Sequence, residues 1–313
     1  LTLVFLDSPT TDDGCGGTTF VNLAARCQRL IERIGIPLEQ GKLLAGGIST
    51  HYLKAGCGPH VVLLHGAGGS SLNWAPVMAT LAAQCCVIAP DMVGYGESDK
   101  PAMVYDRPFF ASWLLHFLDA LGLEKPALLG HSQGGAVALQ FAMEHPERLE
   151  RLILVCPAGL SVDGVPFGAK LGILWLNFLP SRLAARWVSR YLCENGGSQW
   201  DAPLTEYLLE VKRLPQSKRV FLAGLGKSIA PFPAEALQRI PHPTLIIWGR
   251  KDRLLLPSHG ERARREIPAS RWCLIPDAGH LPFLDQPEAF SEAVLGFIDD
   301  QPRRRTYDPF QLS

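Results

Sequence analysis

The sequence predicts an α/β protein: a mostly parallel central sheet flanked by helices, with a helical segment inserted into it. Three observations predict it. Short, continuous apolar runs recur along the chain, as strands buried on both faces of a parallel sheet require. Segments of helical spacing lie between most of them, and such alternation builds a doubly wound sheet. The third is Gly130-His131-Ser132-Gln133-Gly134-Gly135, set between an apolar run of strand length at 126–129 and a helical stretch at 136–143.

Residues 1–40 read as an N-terminal extension, loop-like around Asp12 to Gly17 and helical and amphipathic over 20–34. The pattern then becomes regular, and 41–156 with 243–300 make up the predicted core. A strand at 48–53 follows a Gly46-Gly47 turn. Further strands are expected at 61–64, 86–89, 127–129, 152–155, 244–248 and 272–275, and helices near 74–83, 108–121, 134–145, 258–266 and 286–299. Between 157 and 242 helical signals continue without a buried strand, which predicts a helical cap inserted in the core. Within it 170–179 is apolar nearly all round. On the next segment Arg182, Arg186 and Arg190 stand four apart, with Leu183, Trp187 and Tyr191 assigned to the opposite face. Residues 301–313 form a tail whose Arg303-Arg304-Arg305 run is read as solvated.

Composition excludes several classes. Hydrophobic residues make up 47% of 313, enough for a sizeable core. Lys+Arg and Asp+Glu both number 30, so the chain as a whole has no long-range attraction for nucleic acid or an anionic membrane surface. Eight cysteines lie mostly among apolar neighbours, with Cys86, Cys156 and Cys273 assigned to core strands. No C-x-x-C and no Cys/His cluster has zinc-ligand spacing, so a reducing cytoplasm is expected. No apolar run reaches membrane-spanning length, and the opening residues 1–6 are too short for a signal peptide.

The chemistry starts at Ser132. A serine at a tight strand-to-helix turn holds its hydroxyl above the sheet, and glycines two residues either side leave room for the turn. Serine attacks only when a base takes its proton, and that base needs a carboxylate to hold its tautomer. Both are sought at the C-terminal ends of later strands. Asp252 follows the strand ending at Trp248, and His280 follows the next. Asp163, after the preceding strand, is the substitute acid. His65-Gly66-Ala67-Gly68-Gly69-Ser70 follows the strand at 61–64, and the N–H groups of Ala67 and Gln133 are the expected oxyanion donors, each worth about 3 kcal/mol at the transition state. His65 and His131 read as supports of backbone turns, and Asp91 as an anchor of its own loop.

With these residues in view the chain resembles the α/β-hydrolase superfamily, in its capped branch of esterases and meta-cleavage-product hydrolases. The matching pieces are His65-Gly66, Pro90-Asp91-Met92-Val93-Gly94-Tyr95-Gly96-Glu97-Ser98, the 130–135 motif, Trp248-Gly249-Arg250-Lys251-Asp252 and Ala278-Gly279-His280. They cover about 61–156 and 243–299 in that order. Relatives of this fold that break carbon–halogen bonds or epoxides carry aspartate where Ser132 stands, so the resemblance implies acyl transfer to water. The first reading is a serine hydrolase cleaving a carboxylic ester of a small or medium, mainly apolar substrate, with catalytic Ser132, Asp252 and His280 and without metal or organic cofactor. Trp175, Phe178 and Leu281 are the expected pocket residues, the first two as a roof.

The second reading is C–C bond hydrolysis of a vinylogous diketone. That branch often has Asn before the nucleophile, Trp after the base and an arginine for the substrate carboxylate; here His131 and Leu281 stand at the first two places, and Arg213 or Arg219 is the candidate third. A lactonase would share the same triad, and a receptor-like, non-catalytic member is the remaining class. A small-molecule substrate is the expected partner, nucleic acid is not, and a homo-oligomer stays open.

Overall fold

The computed structural model describes residues 17–160, 164–194 and 201–300, with side chains from Leu23 onward. Asp163, Cys15, the 12–16 part of the N-terminal loop and the 301–313 tail lie outside the described residues. Helix α1 (Gly17–Glu32) precedes the hairpin of β1 (Glu39–Ala45) and β2 (Ile48–Ala55). Then follow β3 (His60–Leu64), α2 (Ala75–Ala82), β4 (Cys86–Pro90), α3 (Arg107–Ala120), β5 (Ala127–His131), α4 (Gln133–Glu144) and β6 (Arg151–Val155). Five helices come next: α5 (Phe167–Phe178), α6 (Arg182–Leu192), α7 (Ala202–Arg213), α8 (Pro215–Gly224) and α9 (Ala234–Leu237). The chain closes with β7 (Thr244–Gly249), α10 (Pro257–Glu266), β8 (Ser270–Ile275), α11 (Pro282–Asp285) and α12 (Pro287–Asp299).

The eight strands form one sheet in the order β1-β2-β4-β3-β5-β6-β7-β8. β1 and β2 are antiparallel to each other, β2 is antiparallel to β4, and all other pairs are parallel. Side chains alternate across the central strands. Val62, Leu64, Leu128, Leu152 and Trp248 face α3, α4 and α10, while Val61, Leu63, Leu129, Ile153 and Ile247 face α2 and α12. Both faces are therefore dry, which is why these strands read as unbroken apolar runs. Each such side chain taken from water contributes about 1.5–3 kcal/mol.

Three readings need correction. Strand β1 begins at Glu39, inside the segment assigned to the extension, and β1 and β2 meet through Gly46 and Gly47 at φ 58° and 83°. β1 is an edge strand with one wet face, so Glu39-Gln40-Gly41-Lys42 carries no apolar run to detect. Cys156 lies just past the end of β6 with φ 41°, and Cys273 is only half-buried because β8 is the opposite edge. On α6, Leu183 and Trp187 are exposed beside the arginines, because Ala184 and Val188 form the buried face.

Helix α5 and α6 pack as a hairpin. A Cβ on Gly172 would lie 2.4 Å from the Trp187 ring, and the Trp187 indole N–H donates to the Gly168 carbonyl at 3.0 Å. Helix α1 packs beside α7, where Cys27 and Tyr207 share the core and Arg26 pairs with Glu210 at 3.0 Å. Among the described residues no helix is long and apolar enough to cross a membrane.

Candidate active site

Strand β5 ends at His131 and α4 begins at Gln133, so Ser132 alone makes the turn, at φ 52° and ψ −116°. An L-residue at positive φ is strained, typically by about 1–3 kcal/mol. Neighbouring chains hold it there. Ser132 N–H donates to Val155 O at 3.0 Å, and its carbonyl accepts from Gly135, Ala136 and Ala158. A Cβ on Gly130 would meet Gly134 O at 2.4 Å, and one on Gly134 would meet Leu64 O at the same distance. Only glycine fits at either position.

The loops after β7 and β8 bring Asp252 and His280 together. His280 Nδ1 donates to Asp252 Oδ2 at 2.8 Å, and both side chains are buried. Asp252 Oδ1 accepts from the main-chain N–H of Leu254 and Leu255 at 2.8 and 2.9 Å, which fixes the carboxylate. With Nδ1 donating, the neutral ring keeps its Nε2 lone pair; that atom is buried and has no hydrogen-bond partner within the described chain. Ser132 and His280 line the same cavity of about 210 Å³. Cys156 Sγ lies within 4.8 Å of ligand atoms of Asp252 and His280, and burial holds its thiol well above the usual range, so it stays protonated.

Loop residues after β3 line the cavity beside Ser132, Ala67 among them. The main-chain N–H groups of Ala67 and Gln133 make no hydrogen bond to another described residue. The Gln133 side chain donates to Ser228 Oγ at 2.7 Å and so ties the turn to the segment after α8. His65 and Asp91 support these loops. His65 Nδ1 donates to Gly66 O at 2.8 Å, and its Nε2 accepts from Met92 N–H at 3.0 Å. Burial raises the Asp91 carboxyl, but the hydrogen bonds from His51 and the Ser71 N–H help to outweigh it and hold the group well below the usual carboxylate range.

Helices α5 to α8 supply most of the apolar wall, including Ile173, Leu176, Val188, Leu208 and Phe221. Leu281 lies in the wall; Trp175 and Phe178 do not. They are 39% and 42% exposed, because Ile173, Leu176 and Asn177 take the cavity face of α5 and the other residues lie about half a turn away.

The polar feature that sequence reasoning missed is Lys212. It lines the cavity, its Nζ donates to Asn177 Oδ1 at 3.2 Å, and a Cβ on Gly68 would lie 2.5 Å from that nitrogen. Desolvation lowers its pKa to about 8. Arg213 and Arg219, the candidates for this role, are exposed, and Arg213 donates to Pro180 O instead.

Comparison with known proteins gives the family and the fold. The alpha/beta hydrolase fold family matches residues 59–287. The 2-hydroxy-6-oxo-2,4-heptadienoate hydrolase of Pseudomonas putida is 32% identical over 83% of this chain and 96% of its own. A meta-cleavage product hydrolase from Pseudomonas fluorescens IP01 superposes with a TM-score of 0.74 at 26% identity, over 82% of this chain and 97% of that one. Carboxylesterase CesB from Bacillus subtilis reaches a TM-score of 0.81 over 91% and 99%; at 24% identity it shares the fold.

Proposed function

Since this chain belongs to the alpha/beta hydrolase fold family, we propose that it is a serine hydrolase working through an acyl-enzyme on a carboxylic ester with a mainly apolar acyl group. The observation that carries this reading is the buried His280–Asp252 pair, whose Nε2 has no hydrogen-bond partner among the described residues and whose residue His280 lines the same cavity as Ser132 in its strained turn. His280 Nε2 takes the Ser132 proton as Oγ attacks the carbonyl carbon. Charge gathers on the carbonyl oxygen, where the N–H groups of Ala67 and Gln133 receive it. The protonated ring returns its proton to the leaving alkoxide. Water then attacks the acyl-serine with His280 again as base, and the acid leaves. Asp252 keeps the ring in the tautomer this sequence needs. The helices α5–α9 act as the cap, and their apolar side chains bind the acyl chain.

A second reading rests on Lys212. An ammonium in the cavity suits a substrate that carries an acidic group as well as its scissile carbonyl, as in C–C hydrolysis of a dienoate. The name of the Pseudomonas putida relative describes such a substrate.

One experiment separates these readings. Wild type and Ser132→Ala are treated with a fluorophosphonate probe, then assayed on p-nitrophenyl esters, lactones and ring-fission dienoates. Labelling and turnover confined to wild type support the serine mechanism, and equal labelling of both proteins sinks it. The preferred substrate decides between ester and C–C hydrolysis.

A further inference from the structure

Helix α5 has two apolar faces and only one of them is used. At about 100° per residue, Ile173, Leu176 and Asn177 point to the cavity, whereas Phe167, Leu171, Leu174, Trp175 and Phe178 share the opposite arc and are exposed. Phe167 is 76% exposed, and on α6 Leu183 is 67% exposed. Trp187 bridges the two helices and is also exposed. Scattered single apolar side chains need no explanation, but a contiguous face of this size marks an interaction surface.

Its charge selects the occupant. From Pro166 to Leu192 there is no Asp or Glu, while Lys170, Arg182, Arg186 and Arg190 are all exposed. Arg182 is paired with Glu206 of α7. Among the described residues no carboxylate lies within ion-pair distance of Lys170, Arg186 or Arg190, and the Arg190 guanidinium lies 5.6 Å from the Trp187 ring centre. The chain is neutral overall, so this positive charge is local. Large apolar side chains flanked by arginines and an aromatic fit the boundary between headgroups and acyl chains. A second copy of the chain fits worse, because a two-fold contact would set like arginine stripes together with no acid to pair them. At 12 residues α5 is too short to cross a bilayer, so it can only lie along one.

We propose that the outer face of the α5–α6 hairpin docks on the surface of an anionic lipid bilayer, with the α5 apolar face inserted below the headgroups and Arg186 and Arg190 against the phosphates. This does not depend on which bond the enzyme cleaves.

The test is co-flotation of the full chain with phosphatidylglycerol/phosphatidylcholine vesicles and with phosphatidylcholine alone, with sedimentation velocity in parallel. Wild type is expected to float with anionic vesicles, and much less with neutral ones. Arg186→Glu/Arg190→Glu should lower partitioning at least about tenfold, since each cation at such a surface is worth several-fold. Leu171→Asp/Trp175→Asp should abolish it. Both variants alter exposed positions, and circular dichroism with retained ester turnover shows that they are folded. Absence of wild type from anionic vesicles overturns the proposal, as does unchanged partitioning of the charge-reversed protein. So does a wild-type dimer that Leu171→Asp/Trp175→Asp converts to monomer while vesicle binding is absent.

Discussion

His131, the residue before the strained serine, donates through Nε2 to the main-chain carbonyl of His280 at 2.9 Å, with the two rings 4.9 Å apart. The end of β5 therefore holds the loop that carries the base. Burial, and then the nearby His280, push the His131 pKa well below its ordinary value, so the ring is neutral and its Nε2 proton is available for this bond at any working pH.

Replacing His131 with alanine removes that bond and leaves a hole under His280. We expect a stability loss of about 2–4 kcal/mol from the cavity and the orphaned carbonyl. Turnover should fall about tenfold or more as the base loses its position, while the pH profile keeps the same inflections because His131 does not titrate. A new inflection in kcat against pH would contradict this.

For Asp252→Asn the expected loss in kcat is about 10⁴-fold with the fold intact, because the ring settles in the wrong tautomer. The asparagine also has one oxygen for three donors, namely His280 and the N–H groups of Leu254 and Leu255. Asp163→Asn, the competing acid from the sequence, should stay close to wild type. Steady-state kinetics on both variants gives the ranking, and the reverse order would move the acid.

Lys212→Met is predicted to raise KM for an acidic substrate about tenfold or more and to leave a neutral ester nearly unchanged. In wild type, kcat/KM for the acidic substrate should decline as pH rises through about 8, where the ammonium loses its proton. The stability effect has the opposite sign. A lysine whose pKa is lowered on folding costs stability wherever the unfolded chain holds the proton more firmly, so that cost is complete below about 8 and vanishes above its unfolded value. The variant should therefore melt higher than wild type at neutral pH, with the gap closing towards pH 10. Melting curves across that range check it.

Asp91→Asn tests the loop anchor. The carboxylate accepts from His51, Ser71 and Glu97 within 2.6–2.9 Å, and breaking such a buried ionic set costs about 3–5 kcal/mol. Its depressed pKa means that this contribution is present at neutral pH and is lost only as pH falls below the ordinary carboxylate value of about 4. Denaturant melts of wild type and variant should differ at pH 7 and converge in acid.

What could be read from the sequence follows from how local each signal is. Five central strands, β3 to β7, announce themselves because both of their faces are dry, and Ser132, Asp252 and His280 follow strand ends in the order that the fold places them. Trp175 and Phe178 were misplaced because α5 is apolar on nearly every face, so nothing in its own residues says which side meets the cavity. Lys212 sits beside Arg213, and the choice between two adjacent cations is made by the phase of α7, which its packing on α1 and α6 decides. β1 escaped for the opposite reason, being too polar to announce a strand.

The glycine contacts around Ser132 divide the pocket into two territories with different prospects for change. Gly130 and Gly134 touch backbone from other segments so closely that no added carbon is tolerated, and Gly66 is pressed against His131 and Ser132. Variation there abolishes the enzyme before it can alter preference. Ile173, Leu176 and Asn177 stand on a helix that makes none of these contacts. Laboratory evolution of new substrates should accumulate its substitutions on α5 to α8, while the floor beneath them stays as it is.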